Sequence, residues 1–174
     1  MKIIIGLGNP GKEYLKTRHN AGFMALDFFL KGIETISCTS KFEAKICEVH
    51  QPNKTLFVYP ETFMNNSGKA VKELLNFYKL GPENVLVLHD EVDLPLGTIK
   101  FTESSSHAGH NGVRSLIEEL GTQDFKRIRI GVESREDRTQ LPTDAFVLQE
   151  FTEEELKQIP FDAIKARIEM ELRS

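Results

Sequence analysis

The chain has 174 residues, 40% of them hydrophobic, and a formal net charge of −4, which is enough apolar material for one core and excludes intrinsic disorder. No apolar run approaches the ~20 residues of a spanning helix, because Asp27 interrupts the best candidate at residues 21–30. Residues 1–5 meet Gly6 and Pro10 too soon for a signal-peptide core, and the two cysteines, Cys38 and Cys47, suit neither a disulfide framework nor a metal site. The expectation is a soluble, reduced, cytoplasmic protein with no membrane partner.

In chain order, residues 2–8 read as a buried strand running into the turn Gly6-Leu7-Gly8-Asn9-Pro10-Gly11. A polar loop at 12–18 precedes a helix at 19–31 with Phe23, Leu26, Phe29 and Leu30 on its apolar face. Strands are expected at 42–49 and 55–59, joined by the turn Gln51-Pro52-Asn53. A helix at 67–80 closes at Gly81-Pro82, and the continuous apolar run at 85–89 suits a strand buried on both faces. Another strand at 97–101, a helix at 111–121, a strand at 127–132 and a helical tail from Thr152, broken at Pro160, complete the pattern. Strands alternating with helices, without repeat or linker, predict one α/β domain over residues 1–174, a three-layer sandwich with helices on both faces of a twisted mixed sheet.

An acidic balance argues at first against a nucleic-acid binder. The acidity is local, however. Residues 133–174 carry 11 acids against 6 bases, and residues 1–132 carry 15 against 16, so a basic face remains open to the body of the chain.

Gly6-x-Gly8-x-x-Gly11 matches the dinucleotide-binding fingerprint and follows a strand. Against that, Pro10 and the polar loop delay the helix, and Asp27 falls mid-helix rather than at a strand end. A tight turn exposing Asn9 at the strand's edge is the better reading. His19 lies in a polar stretch with nothing apolar to bury it, and alone would be a solvated loop histidine. His89 and Asp90 end the buried strand, at the crevice where open α/β sheets bind ligands. Asp90, Glu91 and Asp93 are candidate Mg²⁺ carboxylates, and His89, His107 and His110 a weak metal pattern. Asn9, Asn65 and Asn111 sit at element boundaries, where they either cap helices or ring a polar substrate with amides that both donate and accept.

Taken together, five ordered blocks resemble bacterial peptidyl-tRNA hydrolases. They are Gly6-Leu7-Gly8-Asn9-Pro10-Gly11 with Tyr14 and Thr17-Arg18-His19-Asn20; Thr62-Phe63-Met64-Asn65 with Ser67-Gly68; His89-Asp90-Glu91-Val92-Asp93-Leu94-Pro95; Gly109-His110-Asn111-Gly112; and Arg127-Ile128-Arg129-Ile130-Gly131. The resemblance implies an esterase that frees peptide from tRNA. It makes His19 the catalytic base, Asp90 its supporting carboxylate, and Asn9, Asn65 and Asn111 substrate-site amides, with Tyr14, Phe63 and Met64 lining the cleft. Asn9 would inspect the α-nitrogen. No metal and no organic cofactor is implied. The implied partners are peptidyl-tRNA, through its acceptor arm and 3′ end, and stalled large ribosomal subunits, with the protein a monomer.

Three departures stand out. Ser104-Ser105-Ser106 and Ala108 occupy a block that is usually glycine-rich. Thr102 stands where a second phosphate-gripping cation is expected, leaving Arg129 and Lys100 for a 5′-phosphate. The acidic helical segment at about 152–174 closes the chain without the asparagine-bearing end of longer relatives, so a shortened lid is expected. A stripe of Lys12, Lys16, Arg18, Lys100, Arg114, Lys126, Arg127 and Arg129 would track the acceptor arm. The rivals are a non-catalytic RNA-binding relative and a Mg²⁺-dependent phosphohydrolase using Asp90, Glu91 and Asp93.

Overall fold

The computed structural model describes residues 1–50 and 53–174; of the expected turn at 51–53, Gln51 and Pro52 lie outside the described residues. Among the described residues, seven strands form one mixed sheet in the order β2-β3-β4-β1-β5-β7-β6. The central strand β1 (Lys2–Gly6) runs parallel to β4 (Thr55–Pro60) and β5 (Val85–Pro95), and β5 runs parallel to β7 (Lys126–Glu133). The outer strands β2 (Ser37–Lys41), β3 (Ala44–Val49) and β6 (Ile99–Thr102) pair antiparallel.

Alternation along β1 builds the two layers. Ile4 points into a core with α1 (Ala21–Leu30) and α6 (Phe161–Arg173), while Ile3, Ile5 and Leu7 point into a second core with α2 (Ser67–Tyr78) and α3 (Asn111–Leu120). The expected three-layer α/β sandwich is therefore observed. Two short helices, α4 (Thr143–Val147) and α5 (Glu153–Gln158), link β7 to α6. Among the described residues, no helix is long and apolar enough to cross a membrane.

Two expectations about the sheet edge are corrected. The strand expected from Phe42 begins at Ala44, because Phe42 and Glu43 form the turn of a hairpin with an unforeseen edge strand, β2. Both turn residues have positive φ (58° and 51°), as a two-residue primed turn requires, yet neither is the Gly or Asn that announces one. That hairpin places Cys38 directly opposite Cys47, with Cα atoms 4.0 Å apart, and a disulfide joins them. The expectation of two reduced thiols is thus overturned by the strand that sequence patterning missed.

Gly8 of the first turn and Gly22 of α1 serve packing. A Cβ on Gly22 would lie 2.3 Å from the Leu88 carbonyl and 2.5 Å from the Leu7 nitrogen, so α1 starts in backbone contact with β1 and β5. The ring of Phe23 fills the space above Gly8, where a Cβ would meet it at 2.7 Å. A dinucleotide pyrophosphate has no room there. The same close approach delivers the turn before α1, and His19 with it, to the middle of β5, beside Leu88 and Asp90.

Candidate active site

His19 sits on a 3-10 turn (Arg18–Asn20) that leads directly into α1. Sequence context suggests a solvated side chain, but His19 is only 8% exposed, and its partner Asp90, midway along β5 rather than at the strand end expected for it, only 2%. His19 Nδ1 lies 2.9 Å and 3.0 Å from the two Asp90 carboxylate oxygens. A second imidazole, His110, reaches Asp90 Oδ1 through Nε2 at 2.7 Å. Its Nδ1 accepts the backbone N–H groups of Gly112 and Val113 at 3.1 and 3.3 Å, capping α3. Backbone nitrogens only donate, so the His110 ring proton must be on Nε2, donated to Asp90. Asp90 is acceptor to both rings. His19 therefore carries its proton on Nδ1, and the lone pair on Nε2 is left for the cleft.

Burial alone pulls the His19 pKa down, but the charge and hydrogen bond of Asp90 outweigh it, with Asp144 adding, so the pKa lies above its ordinary value. Burial alone would raise that of Asp90, yet the two histidines hold it far below the usual carboxylate range. Behind them His89 is fully buried, its Nδ1 donating to the Asp90 carbonyl at 2.7 Å and its ring edge-on to His110 at 4.8 Å. Burial and the neighbouring His110 push its pKa well below the ordinary value, so it is neutral.

The amides are oriented in the same way. Asn9 and Asn20 exchange bonds of 2.9 and 3.0 Å between backbone and side chain, and the Met64 N–H donates to Asn9 Oδ1 at 2.8 Å. Asn9 consequently offers the cleft Nδ2, a donor. Met64 is turned toward it because Phe63 adopts φ 60° and ψ 161°, a conformation costly for a side chain that bulky. Phe63 is half exposed and meets Tyr14 edge-to-face at 6.3 Å. Asn65 and Asn111 are exposed, and their side-chain amides hydrogen-bond to none of the described residues.

These groups line a cleft with two arms. One is bounded by Asn9, Tyr14, Phe63, Met64, Asn65 and Asn66, the other by Asp90, Glu91, Asp93, Ala108, His110 and Arg138. His19, Asn111, Asp144 and Val147 belong to both arms, so His19 stands where they meet. The structure thus brings together His19, Asp90, Asn9, Tyr14, Phe63, Met64, Asn65 and Asn111. Sequence reasoning missed His110 as a partner of Asp90, though it stands beside Asn111 in a quoted block. It also missed Asp144, on a helix too short to show periodicity.

Among the described residues, one cluster has metal-ligand spacing: His19, Asp90 and His110, with donor atoms within 4.8 Å of one another. Its hydrogen bonds fit protons better than a cation. A metal on His110 Nε2 would leave Nδ1 without a proton and facing two N–H donors, which requires an imidazolate instead of the usual ring that donates outward. His107 lies apart, its Nδ1 accepting the Gly109 N–H at 3.0 Å. The Mg²⁺ carboxylates are likewise separated in role: Glu91 accepts from Arg129 Nε at 3.0 Å and Asp93 pairs with Arg138 at 3.2 Å.

The basic stripe loses three of its eight members. Arg18 is buried on Glu155 and stacked on Phe146 at 4.1 Å, Lys126 is tied to Glu171 at 2.7 Å, and Arg127 is 1% exposed. Lys12, Lys16, Lys100 and Arg114 remain exposed. Arg129 is held through Nε by Glu91, but its Nη atoms make no hydrogen bond among the described residues, and the exposed Lys100 is its cross-strand neighbour.

With this geometry in place, comparison with known proteins points one way. The sequence profile of peptidyl-tRNA hydrolases matches residues 3–173. The peptidyl-tRNA hydrolase of Mycoplasma capricolum subsp. capricolum is 46% identical over 157 residues, covering 90% of this chain and 83% of that one. That of Brevibacillus brevis is 50% identical over 133 residues, covering 76% and 70%. The crystal structure of peptidyl-tRNA hydrolase from Acinetobacter baumannii superposes with a TM-score of 0.83 at 30% identity, over 95% of this chain and 83% of that one. This chain belongs to the peptidyl-tRNA hydrolase family.

Proposed function

We propose that this chain hydrolyses the ester joining peptide to the ribose of the tRNA 3′ end, with His19 as general base. His19 Nε2 takes a proton from water while the oxygen adds to the ester carbonyl carbon. The tetrahedral oxyanion collapses, the carbon–oxygen bond to the ribose breaks, and the His19 imidazolium returns its proton to the departing ribose oxygen. A peptide acid and a tRNA hydroxyl result. Asp90 keeps the proton of neutral His19 on Nδ1 and stabilises the imidazolium, and His110 holds Asp90 from the other side. The carrying observation is that Asp90 receives Nδ1 of His19 and Nε2 of His110 together, 2.9 and 2.7 Å away, leaving His19 Nε2 at the junction of the two arms.

The amide orientation refines what Asn9 reads. Its free group is a donor, which seeks a carbonyl oxygen rather than an α-nitrogen. An N-blocked residue brings such a carbonyl in its blocking group; a free aminoacyl ester brings an ammonium, which meets a second donor. Asn65 and Asn111, unpartnered among the described residues, are left to hold the peptide backbone and the developing oxyanion. Lys100 and the Nη edge of Arg129 supply cations for tRNA phosphate. The chemistry calls on no metal and no organic cofactor, and one domain acting as a cytoplasmic monomer suffices for it, with stalled large ribosomal subunits a further source of substrate. Peptide release from N-acetyl-aminoacyl-tRNA, with and without EDTA, tests the reading: activity that survives EDTA and disappears in His19→Asn supports it. EDTA-sensitive peptide release would favour a metal-dependent esterase; absent release would favour a non-catalytic RNA binder or a Mg²⁺ phosphohydrolase, which leaves the carboxylic ester intact.

A further inference from the structure

Among the described residues, Arg127 is the largest fully buried side chain, 1% exposed, and no carboxylate pairs with it. Its Nη atoms donate to the carbonyls of Ser105 and Ser106, the latter at 3.1 Å from each, and to the Ser105 hydroxyl. Its Nε has no partner among the described residues. All the hydrogen bonds of this cation therefore converge on one short loop, an unusual use for a buried guanidinium, which ordinarily meets a carboxylate.

The loop, residues 103–110, runs from β6 to α3 and is mostly exposed. It ends on His110, after two left-handed residues, Ala108 (φ 48°) and Gly109 (φ 83°), and the His110 N–H donates to the His107 carbonyl at 2.9 Å. His110 is thus anchored on its helix side by the α3 cap and on its loop side by a segment whose buried tie is Arg127. The neutral His89 ring, opposite Arg129 in the β5–β7 register, packs edge-on to His110.

We infer that Arg127 is a positioning residue for hydrolysis: by gripping Ser105 and Ser106 it fixes the loop that holds His110 Nε2 on Asp90, and so the orientation of Asp90 toward His19. This rests on the reading of His19 and Asp90 as base and support. The surroundings are consistent with it. Burial and the neighbouring Arg129 push the Arg127 pKa down to about 10, still high enough to keep the cation charged at neutral pH. Ser105 gives that cation a hydroxyl acceptor in addition to the two carbonyls.

Arg127→Met keeps most of the buried bulk and removes every donor; Arg127→Lys keeps the charge. Three measurements decide: single-turnover peptide release across pH, affinity for a non-cleavable peptidyl-tRNA mimic across salt, and the NMR signal of the His110 Nε2 proton. Arg127→Met should slow release by about tenfold to a hundredfold, the scale of a small misplacement near the chemistry, with mimic affinity within about twofold and its salt dependence unchanged. The acidic limb of the rate profile should move up, because Asp90, released by one donor, concentrates its charge on His19 while Asp144 stays in place. The Nε2 proton signal should broaden or vanish, and Arg127→Lys should recover most of the rate. An unmoved rate, pH limb and proton signal would reduce Arg127 to a folding contact and overturn the inference. So would a loss confined to mimic affinity with a shallower salt slope, the signature of a phosphate contact. Should Arg127→Met not fold, Ser105→Gly must shift rate and proton signal in the same direction, more weakly, and no shift overturns the inference. His19→Asn is run alongside. If it keeps its rate the base assignment fails, whereas an unmoved His110 signal in Arg127→Met refutes only the tie.

Discussion

Asp90→Asn distinguishes a hydrogen-bonded relay from a mere strand-end carboxylate, and the structure fixes how it should fail. His110 can present only an N–H to position 90, because its Nδ1 is occupied by the Gly112 and Val113 amides. The new amide must therefore turn its oxygen to His110 and its NH₂ toward His19. The atom nearest His19 Nδ1, 2.9 Å away, is then a donor, and the oxygen 3.0 Å away is already claimed by His110; this favours Nδ1 as the acceptor and the proton on Nε2, the atom that has to receive one from water. Base function is then blocked in the neutral ring as well as unsupported in the charged one. A wrong-tautomer variant of this kind in a Ser-His-Asp enzyme loses about 10⁴ in kcat, and a loss of about 10³–10⁴ in single-turnover release is expected here. The sign of the pH effect follows too. Asp90 raises the His19 pKa, so the active form is lost at a higher pH than for a free imidazole, and removing the charge moves the acidic limb down.

Two companions sharpen the test. Asp90→Ala leaves both His19 tautomers open and should be the faster of the two single variants. In Asp90→Asn combined with His110→Ala the amide is free to flip and accept the His19 Nδ1 proton, so the double variant should recover part of the rate. Release rates from N-acetyl-aminoacyl-tRNA over about pH 5–9 suffice for all three. If Asp90→Asn loses less than tenfold, or if the double variant is slower than Asp90→Asn, the tautomer argument is wrong.

Other perturbations probe different parts of the molecule. His19→Ala should lose about 10²–10⁴ in release while binding the non-cleavable mimic as well as the parent does; an equal loss in affinity would point to a binding role. Asn9→Asp keeps an oxygen for the Met64 N–H but loses the Nδ2 donor, and should cost ten- to hundredfold in kcat/KM, about what an unmatched buried acceptor costs. Lys100→Ala and Arg129→Ala should each lessen the salt slope of mimic binding by about one unit, whereas Glu154→Ala, on the acidic tail, should leave it alone. Burial alone would raise the Glu155 pKa, but Ser134, Thr152 and Arg18 together hold it below the ordinary value. Its contribution to stability is then full above the ordinary glutamate range and fades as pH falls through the lowered folded value. Glu155→Gln should cost about 2 kcal/mol near pH 7, roughly 4–8 °C in Tm for a chain of this size, and the gap to the parent should narrow as pH falls below the ordinary glutamate range and close below the lowered folded value.

What the sequence allowed to be read, and what it hid, follows from the range of the interactions involved. β1, β5, α2 and α3 are legible because their apolar positions repeat at the spacing of the element itself, and their ends carry glycine and proline. The edge strand β2 is exposed throughout and turns through Phe42 and Glu43, so neither burial nor turn chemistry marks it. The cysteine pairing was hidden with it. α4 has five residues, fewer than two turns, and Asp144 was invisible for that reason. Charge counting failed for a different cause. Arg18, Lys126 and Arg127 look like surface cations in sequence, but their partners lie 137, 45 and 21–22 residues away, and such pairings have no local signature.

The same reasoning explains why His19, Asp90 and the three asparagines could be chosen without their roles being complete. A residue's chemical type can be read from one position, but the direction of a hydrogen bond depends on what lies on its other side. Asn9 is a donor to the cleft only because Met64 N–H takes its oxygen, and His19 offers Nε2 only because Asp90 takes Nδ1. Asp90 in turn is an obligate acceptor toward His110 because two backbone amides at the start of α3 claim the far nitrogen of that ring. Backbone N–H groups, which never accept, are thus the fixed ends from which every proton in the site is assigned. Mutations that spare all five chosen residues but shift those backbone groups should therefore damage hydrolysis by reversing donors and acceptors. Met64→Pro deletes the N–H facing Asn9 Oδ1, with Met64→Ala, which keeps that N–H, as the control for the lost side chain. Losing that N–H frees the Asn9 amide to rotate, and should reduce discrimination between N-blocked and free aminoacyl-tRNA more than it reduces affinity for the tRNA itself. If Met64→Pro folds, with its Tm within a few degrees of the parent, and still discriminates as the parent does, the orientation of Asn9 is set by something other than that bond.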